Sequence, residues 1–131
     1  PISMPKRRPP LKIFPKIDFH VLPATTHRGP TLDAFDFSQT HLLINATSLG
    51  MKNNPWPSLD FVKKLPKGTL VSDIIYNPKW TPLLKAAKKQ GLKTHFGYGM
   101  LLYQGALAFE KFTGRKAPVM AMKKALLKRL A

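Results

Sequence analysis

The chain has 131 residues, 44% of them hydrophobic, enough for one domain with its own core and too few for two. It contains no cysteine, which excludes disulfide frameworks, thiolate metal sites and cysteine nucleophiles together and fits a reducing compartment. Its 22 Lys and Arg against 6 Asp and Glu leave a net charge of +16, a field that attracts phosphates of any kind.

The positive charges are nevertheless spread along the whole chain, and Lys85, Lys88 and Lys89 fall on what reads as the solvent face of a helix. Composition therefore favours a solvated basic surface over a nucleic-acid site. His20, His27, His41 and His95 show no metal-ligand spacing, so no metal is expected. No apolar run approaches the roughly 18 residues of a membrane span, and Lys6-Arg7-Arg8 is not followed by the apolar stretch of a signal peptide. The expected product is soluble and cytoplasmic, with no membrane partner.

Residues 1–30 hold seven of the 13 prolines, which remove backbone donors and push their neighbours out of helical conformation. Residues 1–32 read as an irregular basic lead-in. Within it, Leu11 to Leu22 could form a short extended piece, restricted by Pro15 and Pro23 to a sheet edge.

From residue 41 onward, apolar strand-like runs alternate with helical stretches, the signature of a mostly parallel sheet covered by helices. His41-Leu42-Leu43-Ile44-Asn45 predicts a buried strand closed by the loop Ala46-Thr47-Ser48-Leu49-Gly50. Ser58 caps a short helical piece over Leu59 to Leu65, and Pro66-Lys67-Gly68 turns the chain into a second strand, Thr69 to Tyr76, rich in β-branched residues. The next helix has Thr81 at its cap, Pro82 in its first position and Gly91 just past its end, with Leu83, Leu84 and Ala87 as its apolar stripe. Leu92 to Phe96 predicts a third strand. Gly97-Tyr98-Gly99 leads into a long helix from Met100 to Thr113, stopped by Gly114, and Pro118 opens a last amphipathic helix.

Ligands of open parallel sheets bind beyond the carboxyl ends of the strands, where loops and helix N-termini converge. All three predicted strand ends carry small or polar residues: Thr47-Ser48-Leu49-Gly50, Tyr76-Asn77-Pro78 and Gly97-Tyr98-Gly99. For Gly50, Gly97 and Gly99, a turn requiring positive φ competes with close backbone approach to a ligand. Thr47 and Ser48 suit turn or helix caps equally well. Asp73, inside an apolar strand, needs hydrogen-bonding partners if buried and reads as structural.

Four blocks in order, Asn45-Ala46-Thr47-Ser48-Leu49-Gly50-Met51, Asp73-Ile74-Ile75-Tyr76-Asn77-Pro78, Thr81-Pro82-Leu83-Leu84 and Gly97-Tyr98-Gly99-Met100-Leu101 with Gln104 and Ala108-Phe109, closely resemble the C-terminal half of shikimate dehydrogenase. The resemblance implies an α/β fold, a partial Rossmann-like doubly wound parallel sheet with flanking helices that lacks the first βαβ unit, with residues 33–131 as the C-terminal half of the dinucleotide-binding domain. It implies the family's reaction as well, NADPH-dependent reduction of 3-dehydroshikimate to shikimate in aromatic amino-acid biosynthesis. Carried over by position, Tyr76 and Gln104 match substrate-contacting residues that hydrogen-bond the acid's hydroxyl or carboxylate groups. Ile74 and Gly97 match positions at the nicotinamide end of NADP(H), with Thr47 and Ser48 in the loop beside it. Arg7, in Lys6-Arg7-Arg8, falls roughly where the family places the arginine that pairs with the cofactor 2′-phosphate, a role suited to a planar donor fork.

No G-x-G-x-x-G phosphate loop occurs in the sequence, and the family's catalytic lysine and aspartate, which belong to its substrate domain, have no counterpart. No catalytic residue is therefore assigned, and the chain is expected to be inactive alone, acting on shikimate or 3-dehydroshikimate only with an N-terminal half supplied. Without the family's first strand, the strand at Leu42 to Asn45 is expected to leave an open edge that invites self-association. Two alternatives remain: a quinate/shikimate-type fragment, and a basic module for nucleic acid or another polyanion.

Overall fold

The computed structural model describes residues 32–130. The extended piece predicted over Leu11 to Leu22 and the basic Lys6-Arg7-Arg8 lie outside the described residues. Three strands, β1 (Leu42–Asn45), β2 (Leu70–Asp73) and β3 (Lys93–Phe96), form a parallel sheet in the order β1-β2-β3. Helix α1 (Pro82–Lys89) crosses from β2 to β3, and α2 (Tyr98–Thr113) and α3 (Val119–Leu130) follow. The register aligns Leu43 with Val71 and Thr94, and Asn45 with Asp73 and Phe96.

Successive side chains of a strand point to opposite faces. One face carries Leu43 and Val71, and α1 packs there through Leu83, Leu84 and Ala87, all completely buried. Phe37, Phe61, Val62 and Leu65 complete this core. Phe61 and Val62 come from a 3-10 helix, Asp60–Lys64, inside the short helical piece predicted over Leu59 to Leu65. The short turn is set by Ser58, whose Oγ accepts from the Asp60 amide at 3.0 Å. The opposite face departs from the buried strand predicted over His41 to Asn45: Leu42 and Ile44 are about half exposed, at 51% and 52%, and Leu70 is at 36%. β1 ends the sheet, and its outer edge has no strand partner among the described residues.

α1 begins as predicted: the Thr81 hydroxyl accepts from the Leu84 amide at 3.3 Å, and Pro82 occupies the first turn. Gly91, with φ of 73°, takes the left-handed conformation just after the helix. β2 is shorter than predicted. It ends at Asp73 because the Asp73 carboxylate takes the Ile75 amide at 3.0 Å, so Ile75 and Tyr76 leave the ladder. α2 starts at Tyr98 rather than Met100, with Gly97 already in right-handed helical conformation, and stops at Gly114, where φ is 66°. No helix among the described residues is long and apolar enough to cross a membrane.

Candidate functional site

The carboxyl ends of the three strands converge, and buried hydrogen bonds hold them together. Asn45 closes β1; its side-chain amide donates to the Leu49 carbonyl at 2.9 Å and to Asp73 Oδ1 at 3.0 Å. The Asn45 Oδ1 accepts from the Thr47 amide at 3.1 Å and the Thr47 hydroxyl at 2.7 Å. Thr47 Oγ1 in turn accepts from the Leu49 amide at 3.1 Å, so Thr47 is a turn residue first, and its remaining surface is exposed. Ser48 is also exposed, and its Oγ accepts from Asn54 Nδ2 at 2.7 Å. Asp73 is completely buried, as a carboxyl inside an apolar strand requires partners to be.

Gly97 stands against this point from β3. A Cβ there would overlap the Ile74 carbonyl and come within 2.7 Å of the Asp73 carbonyl oxygen. The positive-φ reading fails for Gly97, whose φ is −63°, and for Gly99, which lies within α2 without a positive φ. It holds for Gly50, at φ of 101°. What Gly97 admits is the backbone of residues 73–74.

Tyr76 rides on the loop between Asp73 and Thr81 and is 45% exposed, with Ile74 half-buried beside it. The loop is fastened to β3 by aromatic contacts. The Trp80 ring meets Phe96 edge-on at 4.8 Å, and Lys79 Nζ lies 5.6 Å and 5.7 Å from the Phe96 and Tyr98 ring centroids. Gln104 is exposed, two turns along α2 and about 10 Å from its start. It shares its helix face with Met100 and Leu107, at 57% and 61% exposure, so the glutamine sits in an uncovered apolar stripe.

The structure thus sets Thr47 on the Asn45 side chain and Gly97 against the backbone of Asp73 and Ile74, places Tyr76 on the adjoining loop, and holds Gln104 further along the helix that Gly97 opens. Arg7 lies outside the described residues. Sequence reasoning passed over Asn45, and gave Thr81 only the cap although its hydroxyl also donates to Asp73 Oδ2 at 2.7 Å. The available signal was a polar residue closing each of two apolar strands.

A model of the shikimate 5′-dehydrogenase C-terminal domain matches residues 97–127. The shikimate dehydrogenase (NADP(+)) of Streptococcus gordonii is 53% identical over 95 residues, 71% of this chain and 32% of that protein. The chain belongs with the shikimate dehydrogenases, as their C-terminal part. A shikimate dehydrogenase solved in complex with NADP+ superposes with a TM-score of 0.64 at 40% identity, over 77% of this chain and 35% of that one. The quinate dehydrogenase of Corynebacterium glutamicum, solved with NAD, reaches 0.61 at 38% identity, over 66% of this chain and 30% of its own. The chain spans about a third of the length of the curated shikimate dehydrogenases it matches.

Proposed function

We propose that this chain supplies the C-terminal side of a shikimate dehydrogenase cleft, contributing to NADP-linked interconversion of 3-dehydroshikimate and shikimate once a second polypeptide segment provides the substrate domain and the phosphate loop. The observation that carries the reading is the junction of the three strand ends, where the Asn45–Asp73 hydrogen bond ties the Thr47 turn to the end of β2 and Gly97 meets the backbone of residues 73–74. The exposed Ser48 hydroxyl, whose proton is not used by its bond from Asn54, and the half-buried Ile74 side chain offer the nicotinamide end of NADP(H) both polar and apolar contact, with Thr47 holding the turn beside them. The fit is confined to that end, since the sequence offers no glycine-rich loop for the pyrophosphate. When bound, the cofactor supplies the hydride. The chain's own part is to bind and orient: the Tyr76 hydroxyl and the Gln104 amide are available to hydrogen-bond the substrate's hydroxyl and carboxylate groups. No side chain here is assigned to move the accompanying proton.

The uncovered apolar stripe around Gln104 and the bare side of β1 and β2 support the need for a complementing segment, because each leaves large side chains in water beside a proposed functional residue. A quinate/shikimate-type preference is the second reading, favoured by the likeness to the C. glutamicum quinate dehydrogenase. The test is NADP-linked oxidation of shikimate, and in parallel of quinate, by the purified chain alone and mixed with a separately made N-terminal half of a related shikimate dehydrogenase. Activity on shikimate only in the mixture is the expected outcome. No activity in a mixture whose halves demonstrably associate would overturn the enzymatic reading.

A further inference from the structure

Three chain segments meet on the Asp73 side chain. Its Oδ1 accepts from Asn45 Nδ2 and from the Ile75 amide, both at 3.0 Å, and its Oδ2 accepts from the Thr81 hydroxyl at 2.7 Å. Each of these donors leads to a different part of the site. Asn45 holds the Thr47–Leu49 turn through its own carbonyl and amide. Ile75 precedes Tyr76. Thr81 ends the loop that carries Tyr76 and caps α1 through the Leu84 amide.

We propose that Asp73 is a positioning residue that couples the Thr47-Ser48 turn to the Tyr76 loop, fixing the nicotinamide-side and substrate-side groups in one frame. The assignment of those groups rests on the function proposed above; the coupling itself does not. The chemistry asks for a carboxylate: three donors converge on two oxygens, and only a group that accepts at both can satisfy them without presenting a proton of its own. An asparagine offers one oxygen. Its amide would have to face either the pair of N–H donors or the Thr81 hydroxyl, whose proton would then lose the acceptor it has in Asp73 Oδ2. Burial sharpens the requirement, since a donor left without a partner at a fully buried position bears its whole desolvation cost. The register makes the coupling specific, because Asn45 and Asp73 are aligned partners at the last paired position of β1 and β2, so their side chains emerge on the same face.

The test is amide hydrogen exchange on the full chain, comparing wild type with Asp73→Asn and Thr81→Val. Coupling predicts that Asp73→Asn speeds exchange at Ile75 and also at Thr47 and Leu49 by about tenfold, the loss expected for one hydrogen bond, while Val71 in the sheet stays protected. Thr81→Val touches neither Thr47 nor Leu49, yet should also speed both by freeing Asp73 Oδ2. Should Asp73→Asn fold poorly, so that Val71 loses protection too, the Thr81→Val result decides alone. An effect of Thr81→Val confined to the Leu84 amide, or of Asp73→Asn confined to Ile75, would overturn the coupling. In the complemented mixture, Asp73→Asn should raise KM for shikimate about tenfold with kcat changed much less. Unchanged KM alongside altered exchange would refute the positioning role, whereas a wild-type mixture without activity would refute the functional reading and leave the exchange result standing.

Discussion

The Ile74 carbonyl occupies the space that a Cβ on residue 97 would need. Strand ends in this sheet are therefore packed backbone to backbone, and the absence of a side chain at Gly97 is a steric condition for β2 and β3 to end side by side. A Cβ on Gly99, two positions further on and inside α2, would meet nothing within 4 Å, and Gly99 has no positive φ. The two glycines should respond oppositely to alanine. Gly97→Ala falls at the N-cap of α2, where alanine is the poorer residue, and it forces backbone apart, an overpacking cost of about 1–3 kcal/mol or more, so it should destabilise. Gly99→Ala should stabilise by about 0.5–1 kcal/mol. Urea denaturation of the two variants measures both, and equal signs would contradict the packing described.

The core is concentrated on one side of the sheet, which makes its members individually costly to lose. Leu84 is completely buried between α1 and the sheet, in the cluster with Val71 and Phe61. Leu84→Ala should lower stability by about 2–5 kcal/mol, the range for removing a buried leucine. In a chain whose core lies mainly on one face of the sheet, that is a large share of the roughly 5–15 kcal/mol that holds a domain folded, visible as a lowered or lost cooperative thermal transition.

Helix α1 and the presence of the three strands were legible in the sequence because their signals are local. Thr81, Pro82 and Gly91 each act within a turn of the helix end they set. The end of β2 was not legible, since Ile74 and Ile75 continue a β-branched run and only the Asp73 side chain, by taking the Ile75 amide, breaks it. The start of α2 was placed late for a related reason: Gly97 and Gly99 are poor helix formers, and their suitability comes from what packs against Gly97. At the site, the convergence of Thr47, Tyr76 and Gly97 follows from strand polarity and could be read directly. The Asn45–Asp73 link spans 28 positions and depends on register, which a composition pattern does not encode.

Asp60 gives a pH dependence with a definite sign. The hydrogen bond from Lys63 at 2.6 Å, then that from Ser58, holds its carboxyl below the ordinary value of 3.8. Because the folded value is the lower one, the contribution to stability is present above the ordinary value and is lost as pH falls through the folded value. The pair is fully exposed, so the contribution is small and screened by salt. The stability difference between wild type and Asp60→Asn should shrink from about pH 5 to about pH 2, and shrink less at high salt. A difference that grows on acidification would contradict the assignment.

Tyr76 and Gln104 differ in what they touch within the chain, and their substitution should differ accordingly. Tyr76→Phe removes a hydroxyl from a half-exposed ring, so folding should be unaffected. If the hydroxyl meets a charged carboxylate, kcat/KM for shikimate in the complemented mixture should fall about tenfold to a hundredfold. Gln104→Ala should do the same while slightly favouring α2, alanine being the better helix former. Wild-type kinetics in either variant would remove that residue from the site.

The bare side of β1 makes a separate prediction about assembly. Leu42 and Ile44 lie half in water on the edge strand, next to backbone groups with no strand partner among the described residues. An exposed apolar edge is a template for another chain, and lysine on such an edge is the usual way to blunt it. Leu42→Lys with Ile44→Lys should leave the core intact, because neither side chain packs into it, and should shift sedimentation of the isolated chain toward the monomer. The same double variant should fail to recover activity with the N-terminal half if that half covers this face. Recovery at the wild-type level would place the complementing surface on the Gln104 stripe instead, where Met100→Lys and Leu107→Lys should then abolish it.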